Sequence, residues 1–101
     1  MGFERIVGLT LKDDKGYQSY REAMTPILIR YGGRFRFDFS VAKTLITEGD
    51  GEINRVFVMT FPDQSTHDRF FSDPEYKAIR AKHYDPSVKT STVISQYTIP
   101  G

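Results

Sequence analysis

Residues 30–39 read Arg-Tyr-Gly-Gly-Arg-Phe-Arg-Phe-Asp-Phe, and the change of rhythm across the two glycines decides the fold. Before them, Tyr17, Tyr20, Met24, Ile27, Leu28 and Tyr31 recur at steps of three, four and seven, which draws one apolar stripe along a helix. Asp13 and Asp14 offer N-cap oxygens to its first turn, and Pro26 removes a donor near its end. Gly32 or Gly33 supplies the left-handed residue that commonly ends a helix. After the glycines, apolar side chains hold the odd positions to Val41, while Arg34, Arg36, Asp38 and Ser40 hold the even ones. Period two predicts a strand, with Phe35, Phe37 and Phe39 on its covered side and the charges on the other.

Outward from this stretch the same two rhythms repeat. Phe3 to Leu11 reads as a first strand, Phe3, Arg5, Val7, Leu9 and Leu11 alternating with Glu4, Ile6, Gly8 and Thr10, and Ile6 suggests that both faces are partly covered. Thr47-Glu-Gly-Asp-Gly-Glu52 suits a hairpin loop. Ile53 to Phe61 is apolar on both faces, as expected for a strand inside a sheet. Asp63 caps a second helix whose inner stripe is His67, Phe70 and Phe71. Asp73-Pro74-Glu75 restarts it, with Tyr76, Ile79 and His83 on one face, and Asp85-Pro86 is expected to end it. Val88 to Ile99, rich in Thr, Ser, Val and Ile, completes the set as an edge strand.

The order βαββαβ over residues 1–101 predicts a single α+β domain of ferredoxin-like type. It is a four-stranded antiparallel sheet with both helices on one face. The other face is then bare in a monomer, and a second copy of the same sheet is the simplest cover.

Composition narrows the function classes. The 101 residues carry a formal charge of +1, so no bulk field draws the chain to nucleic acid or to an acidic membrane. The absence of cysteine removes disulfides, thiolate nucleophiles and Cys-type zinc sites. No apolar run nears the ~20 residues that span a bilayer, and the plain reading is cytoplasmic. An RNA-recognition sheet would need small residues between exposed rings. Arg55-Val-Phe-Val-Met59 has valines there and lacks the second ring, which argues against nucleic acid as a partner.

Tyr31-Gly-Gly-Arg34, Glu48-Gly49, Arg55-Val-Phe-Val-Met-Thr-Phe-Pro62 and Ser72-Asp-Pro-Glu-Tyr76 together resemble, in order and spacing, a bacterial domain-of-unknown-function family. That family belongs to the dimeric α+β barrel superfamily, and the resemblance covers nearly the whole chain. It implies a homodimer whose sheets face each other, with ligands between sheet and helices or in the barrel cleft. Relatives include monooxygenases of aromatic polyketides, haem-degrading enzymes and lactone isomerases. Thr60 stands where many relatives have an acid, and Phe39-Ser40 where many have a glycine pair, so no catalytic carboxylate carries over to position 60.

His67 and His83 are the only imidazoles, both on helix stripes where packing roles are commonest, and no carboxylate stands near them at metal-site spacing. His83 is retained as a candidate ligand contact. Arg34 and Arg55 either pair with Asp38, Glu48 or Glu52, or one remains free to clamp a carboxylate or phosphate. Tyr31 and Tyr76 could add phenolic hydroxyls. The expected site is Arg34 supported by Arg55 and Tyr76, with Arg55 joining only if the hairpin register puts both arginines on one side, a parity that the Thr47–Glu52 loop leaves open. It would bind a small aromatic or acidic molecule in a protein that works without metal or cofactor, either as an enzyme of monooxygenase or isomerase type or as a non-catalytic dimeric binding protein.

Overall fold

The computed structural model describes residues 1–100. Its elements run β1 (Gly2–Leu11), α1 (Asp14–Arg30), β2 (Arg34–Ser40), β3 (Arg55–Phe61), α2 (Gln64–Ser72) and α3 (Pro74–Ile79). A π-helical turn (Arg80–Tyr84), a short α4 (Asp85–Ser87) and β4 (Val88–Ile99) follow. The antiparallel sheet has the order β2-β3-β1-β4, so β3 and β1 are interior and β4 is an edge. All helices lie on one face, which is the ferredoxin-like arrangement.

Local chemistry sets the first helix. Asp13 is extended, and its Oδ1 accepts from the Gly16 amide at 3.1 Å. The far end closes on glycine: Gly32 has φ +74°, and the Gly33 amide returns to the Leu28 carbonyl at 2.9 Å. Between these ends Tyr17, Tyr20, Met24, Ile27 and Leu28 are buried against Val7, Leu9, Phe57, Met59 and Phe61 of the sheet. Phe70 and Tyr76 of the later helices complete the core. No helix is long and apolar enough to cross a membrane.

Three features depart from the expected pattern. In β2, Phe35 sits opposite Met59 but Phe37 sits opposite Val58, so Arg36 is an extra residue in the ladder. This bulge reverses the alternation. Phe35 faces the helices; Phe37 and Phe39 face the other way, 47% and 53% exposed, and Asp38 turns inward beneath α1. The expectation of three covered phenylalanines opposite three charges therefore fails after its first residue. A simple alternation places charge on one face only while pairing is regular, and one unpaired residue exchanges the faces.

The second departure is the 41–54 segment, which is irregular rather than a tight hairpin. Thr44 Oγ1 accepts from the Ile53 amide at 2.8 Å and donates to the Ile53 carbonyl at 2.7 Å, pinning the base of the loop. Ile53 lies over Gly8, where an added Cβ would come within 2.7 Å of its Cδ1. The loop thus folds back over the helix-free face.

Third, the chain stays helical through Asp85 (φ −57°, ψ −42°) instead of stopping before Pro86. The preceding π turn is wider than an α turn. In that turn the Asp85 amide reaches back to the Arg80 carbonyl, and Pro86, with no amide to donate, falls in the first turn of α4 where none is needed.

Candidate functional site

A cleft opens between the helix-facing side of the sheet and the layer of helices above it. Its floor is Val7 of β1 with Phe57 and Met59 of β3. Tyr20 of α1, Phe71 of α2 and Tyr76 of α3 form aromatic walls. The π turn contributes both of its ends, Arg80 and Tyr84, and β4 contributes Ser91. The cleft is narrow, with about 20 Å³ of free volume, room for roughly one ordered water.

Arg5 is the unexpected member. Its position in β1 points the guanidinium inward among apolar side chains, with Cζ 4.7 Å from the Phe71 ring centroid. Burial lowers its pKa below the ordinary arginine value, an effect that nearby phenols partly offset. Arginine nonetheless stays protonated at any physiological pH. Arg5 Nε is buried and has no hydrogen-bond partner.

Across the cleft the Tyr20 and Tyr76 hydroxyls meet at 2.8 Å, both buried. Burial first, and the neighbouring Tyr76 phenol second, push Tyr20 far above the usual tyrosine range. Tyr76 is raised as well, because burial outweighs the lowering effect of the hydrogen bond to Tyr20. Both phenols are therefore neutral hydrogen-bonding groups at any working pH. Tyr84 packs edge-on to Tyr20 at 5.1 Å, and Arg80 Cζ lies 4.9 Å over the Tyr84 ring. Among the described residues no carboxylate or imidazole lines this cleft.

Of the five candidates named from sequence, only Tyr76 lines it. Tyr31 donates its hydroxyl to Asp73 Oδ2 at 2.7 Å, which ties the end of α1 to the start of α3. His83 is on the π turn, where its carbonyl accepts from Ser87 Oγ at 2.7 Å. Arg55 and Arg34 lie on opposite faces, because Arg55 points toward the helices while Arg34 is opposite Thr60 on the open side. They cannot form one clamp.

Arg55 instead makes two hydrogen bonds of 2.8 Å to Asp38, which also takes Arg21 Nη1 at 3.2 Å. Burial pushes the Asp38 carboxyl up, but the Arg55 hydrogen bonds and both positive charges outweigh it and hold the group below the carboxylate range. Arg21 is packed under this pair, with Cζ 3.6 Å from the Phe35 ring centroid and Nε donating to the Tyr17 hydroxyl at 2.8 Å. A polar hollow beside the cluster, lined by Asp14, Gln18, Asn54 and Arg55, is separate from the aromatic cleft. The missed residues Arg5, Tyr20 and Tyr84 left uneven signals. Arg5 was visible as the one charge at an inward position of β1. Tyr20 reads as core, and the placement of Tyr84 depends on a π turn that no sequence period announces.

The open sheet face carries its own polar centre. Glu4 is 1% exposed, accepts the Tyr97 hydroxyl at 2.7 Å, and has Arg36 Nε 3.0 Å from its other oxygen. That second contact has ion-pair distance but poor hydrogen-bond alignment. Around it Phe37 and Phe39 stack at 6.1 Å, and Leu45 and Ile46 of the covering loop are 84% and 90% exposed.

The family model described as "Domain of unknown function (DUF1330)" matches residues 5–97. No curated protein matches the sequence. Among solved structures, a protein of unknown function from Rhodopseudomonas palustris superposes with TM-score 0.81 at 19% identity, over 99% of this chain and 83% of the other. A dimeric protein of unknown function and ferredoxin-like fold from Bacteroides fragilis gives 0.61 at 16%, over 97% and 96%. SnoaB, a cofactor-independent oxygenase from Streptomyces nogalater, gives 0.65 at 16%, over 99% and 94%. At these identities the likeness is one of fold.

Proposed function

The chain belongs to the DUF1330 family, and for it we propose a homodimeric protein that binds a small aromatic or acidic organic molecule in the cleft between sheet and helices. The observation that carries this reading is the buried Tyr20–Tyr76 hydroxyl pair on the wall of an otherwise aromatic cleft. A few polar groups converging inside an apolar concavity are the usual composition of a small-molecule site. A ligand larger than water has to displace Arg80 and Tyr84 at the rim, and Arg80, on the wider π turn, is solvent-exposed.

The second reading adds catalysis without a cofactor, and one fold neighbour is a cofactor-independent oxygenase. With no carboxylate or imidazole in the wall, the described residues offer no base suited to neutral pH. A substrate for such an enzyme would have to ionise readily by itself. The dimer rests on the open face, where stacked Phe37 and Phe39 and the loop residues Leu45 and Ile46 present apolar surface around a buried Glu4.

The test is amide NMR of ¹⁵N-labelled protein during titration with single-ring aromatic fragments. Shifts concentrated on residues 5, 20, 76 and 84 support the cleft. Shifts confined to the open face or to the Arg55 hollow overturn it.

A further inference from the structure

Building on the cleft reading, we infer that its ligand is an aromatic anion, a ring bearing a carboxylate or an ionised enol or phenol. Its negative oxygen is held by Arg5 and by the free proton of the Tyr20–Tyr76 pair. The argument is a count of donors and acceptors. Two phenols carry two protons, and their contact at 2.8 Å uses one of them. Neither hydroxyl has another hydrogen-bond partner among the described residues, so one O–H remains to donate. Arg5 adds a buried Nε–H with no acceptor and a positive charge that no carboxylate of the described residues pairs within 4 Å. The other arginine of the cleft, Arg80, stands at the rim and has only a loose 3.9 Å contact with Asp85.

A buried donor without an acceptor is costly, and the half-buried Arg5 guanidinium carries its charge unpaired. A neutral ligand could satisfy one of these donors but would leave the charge uncompensated. A carboxylate or enolate oxygen accepts from both and neutralises Arg5 in a low-dielectric surrounding, where the attraction is strong. The rings of Phe71, Tyr20 and Tyr84 then require that the rest of the ligand be flat and apolar. Because burial keeps both phenols protonated, they serve the anion as donors and never compete with it as charges.

The experiment compares benzoate with its neutral isostere benzamide on the intact protein, by calorimetry and by NMR of the arginine Nε–H resonances. Benzoate should bind about tenfold or more tightly than benzamide and shift the Arg5 Nε–H signal. Arg5→Met should remove that preference, and Arg5→Lys should keep part of it. Should Arg5→Met not fold, the wild-type comparison and the Nε–H signal decide alone. Equal binding of both probes in the cleft overturns the anion inference and leaves the cleft standing. Benzoate shifts at Arg34 or Arg55 instead of Arg5 also overturn it. If neither probe binds, the cleft reading falls and this inference with it.

Discussion

Gly32 stands at φ +74°, and a Cβ there would lie 2.9 Å from the Pro62 ring, so both backbone and space exclude a side chain. Gly32→Ala should cost about 1 to 2 kcal/mol in urea unfolding, since alanine carries the left-handed penalty that glycine escapes. Gly33 differs: its backbone is ordinary, but a Cβ would come within 2.6 Å of Leu28 Cδ1. Asp38 makes a second test. Its folded-state pKa is depressed, so its contribution is fully present above the unfolded value of about 3.9 and is lost as pH falls through the lower folded value. Asp38→Asn should therefore be less stable than wild type near neutrality, by about 0.5 to 1 kcal/mol, because solvent screens a carboxylate this exposed. The gap should close as the pH is lowered below the carboxylate range, as read from denaturant midpoints. At this scale the sequence was partly legible. An arginine among Phe3, Val7 and Leu9 announced an inward charge, yet nothing local to Arg34 or Arg55 said which face each would take, because that depends on a pairing irregularity between strands.

Helix junctions show how single side chains join elements. Asp73 Oδ1 accepts the Glu75 and Tyr76 amides at 2.8 and 3.1 Å, and its Oδ2 takes the Tyr31 hydroxyl. One carboxylate thus caps α3 and moors α1 to it. Asp73→Ala should lower the melting temperature by about 5 °C. Tyr31→Phe should lower it less, and the double variant should fall short of the sum, because both changes delete the same contact. The elements themselves were readable: Asp13, Asp63 and Asp73 mark the helix starts, and Val88–Ile99 is the edge strand expected from its composition. What stayed hidden were the irregularities. A bulge in β2 and a π turn before Pro86 each insert one residue into a regular repeat, and a periodic pattern has no term for a single insertion.

The two sides of the sheet give the whole molecule two different surfaces. One is closed by helices over the aromatic cleft, and the other ends in Phe37, Phe39 and the loop residues Leu45 and Ile46. Phe39→Glu is the clean test of dimerisation, since this side chain is half exposed in the single chain and its replacement should leave the fold intact. Light scattering should show the wild type at twice the chain mass and the variant at the chain mass at micromolar concentration. A monomeric wild type would overturn the proposed assembly.

The bulge at Arg36 bears on what the protein avoids as well as on what it binds. β2 is an outer strand, and an unbroken Arg-Phe-Arg-Phe-Asp-Phe ribbon there would present a straight row of free amides and carbonyls, with rings in register, to any neighbouring chain. The extra residue breaks that row and increases the local twist, so an incoming strand cannot continue the ladder. Growth of the sheet sideways into a fibre is thereby frustrated at its most adhesive rim. Deleting Arg36 should make the protein gather thioflavin-positive aggregates on mild heating, which the wild type should not do.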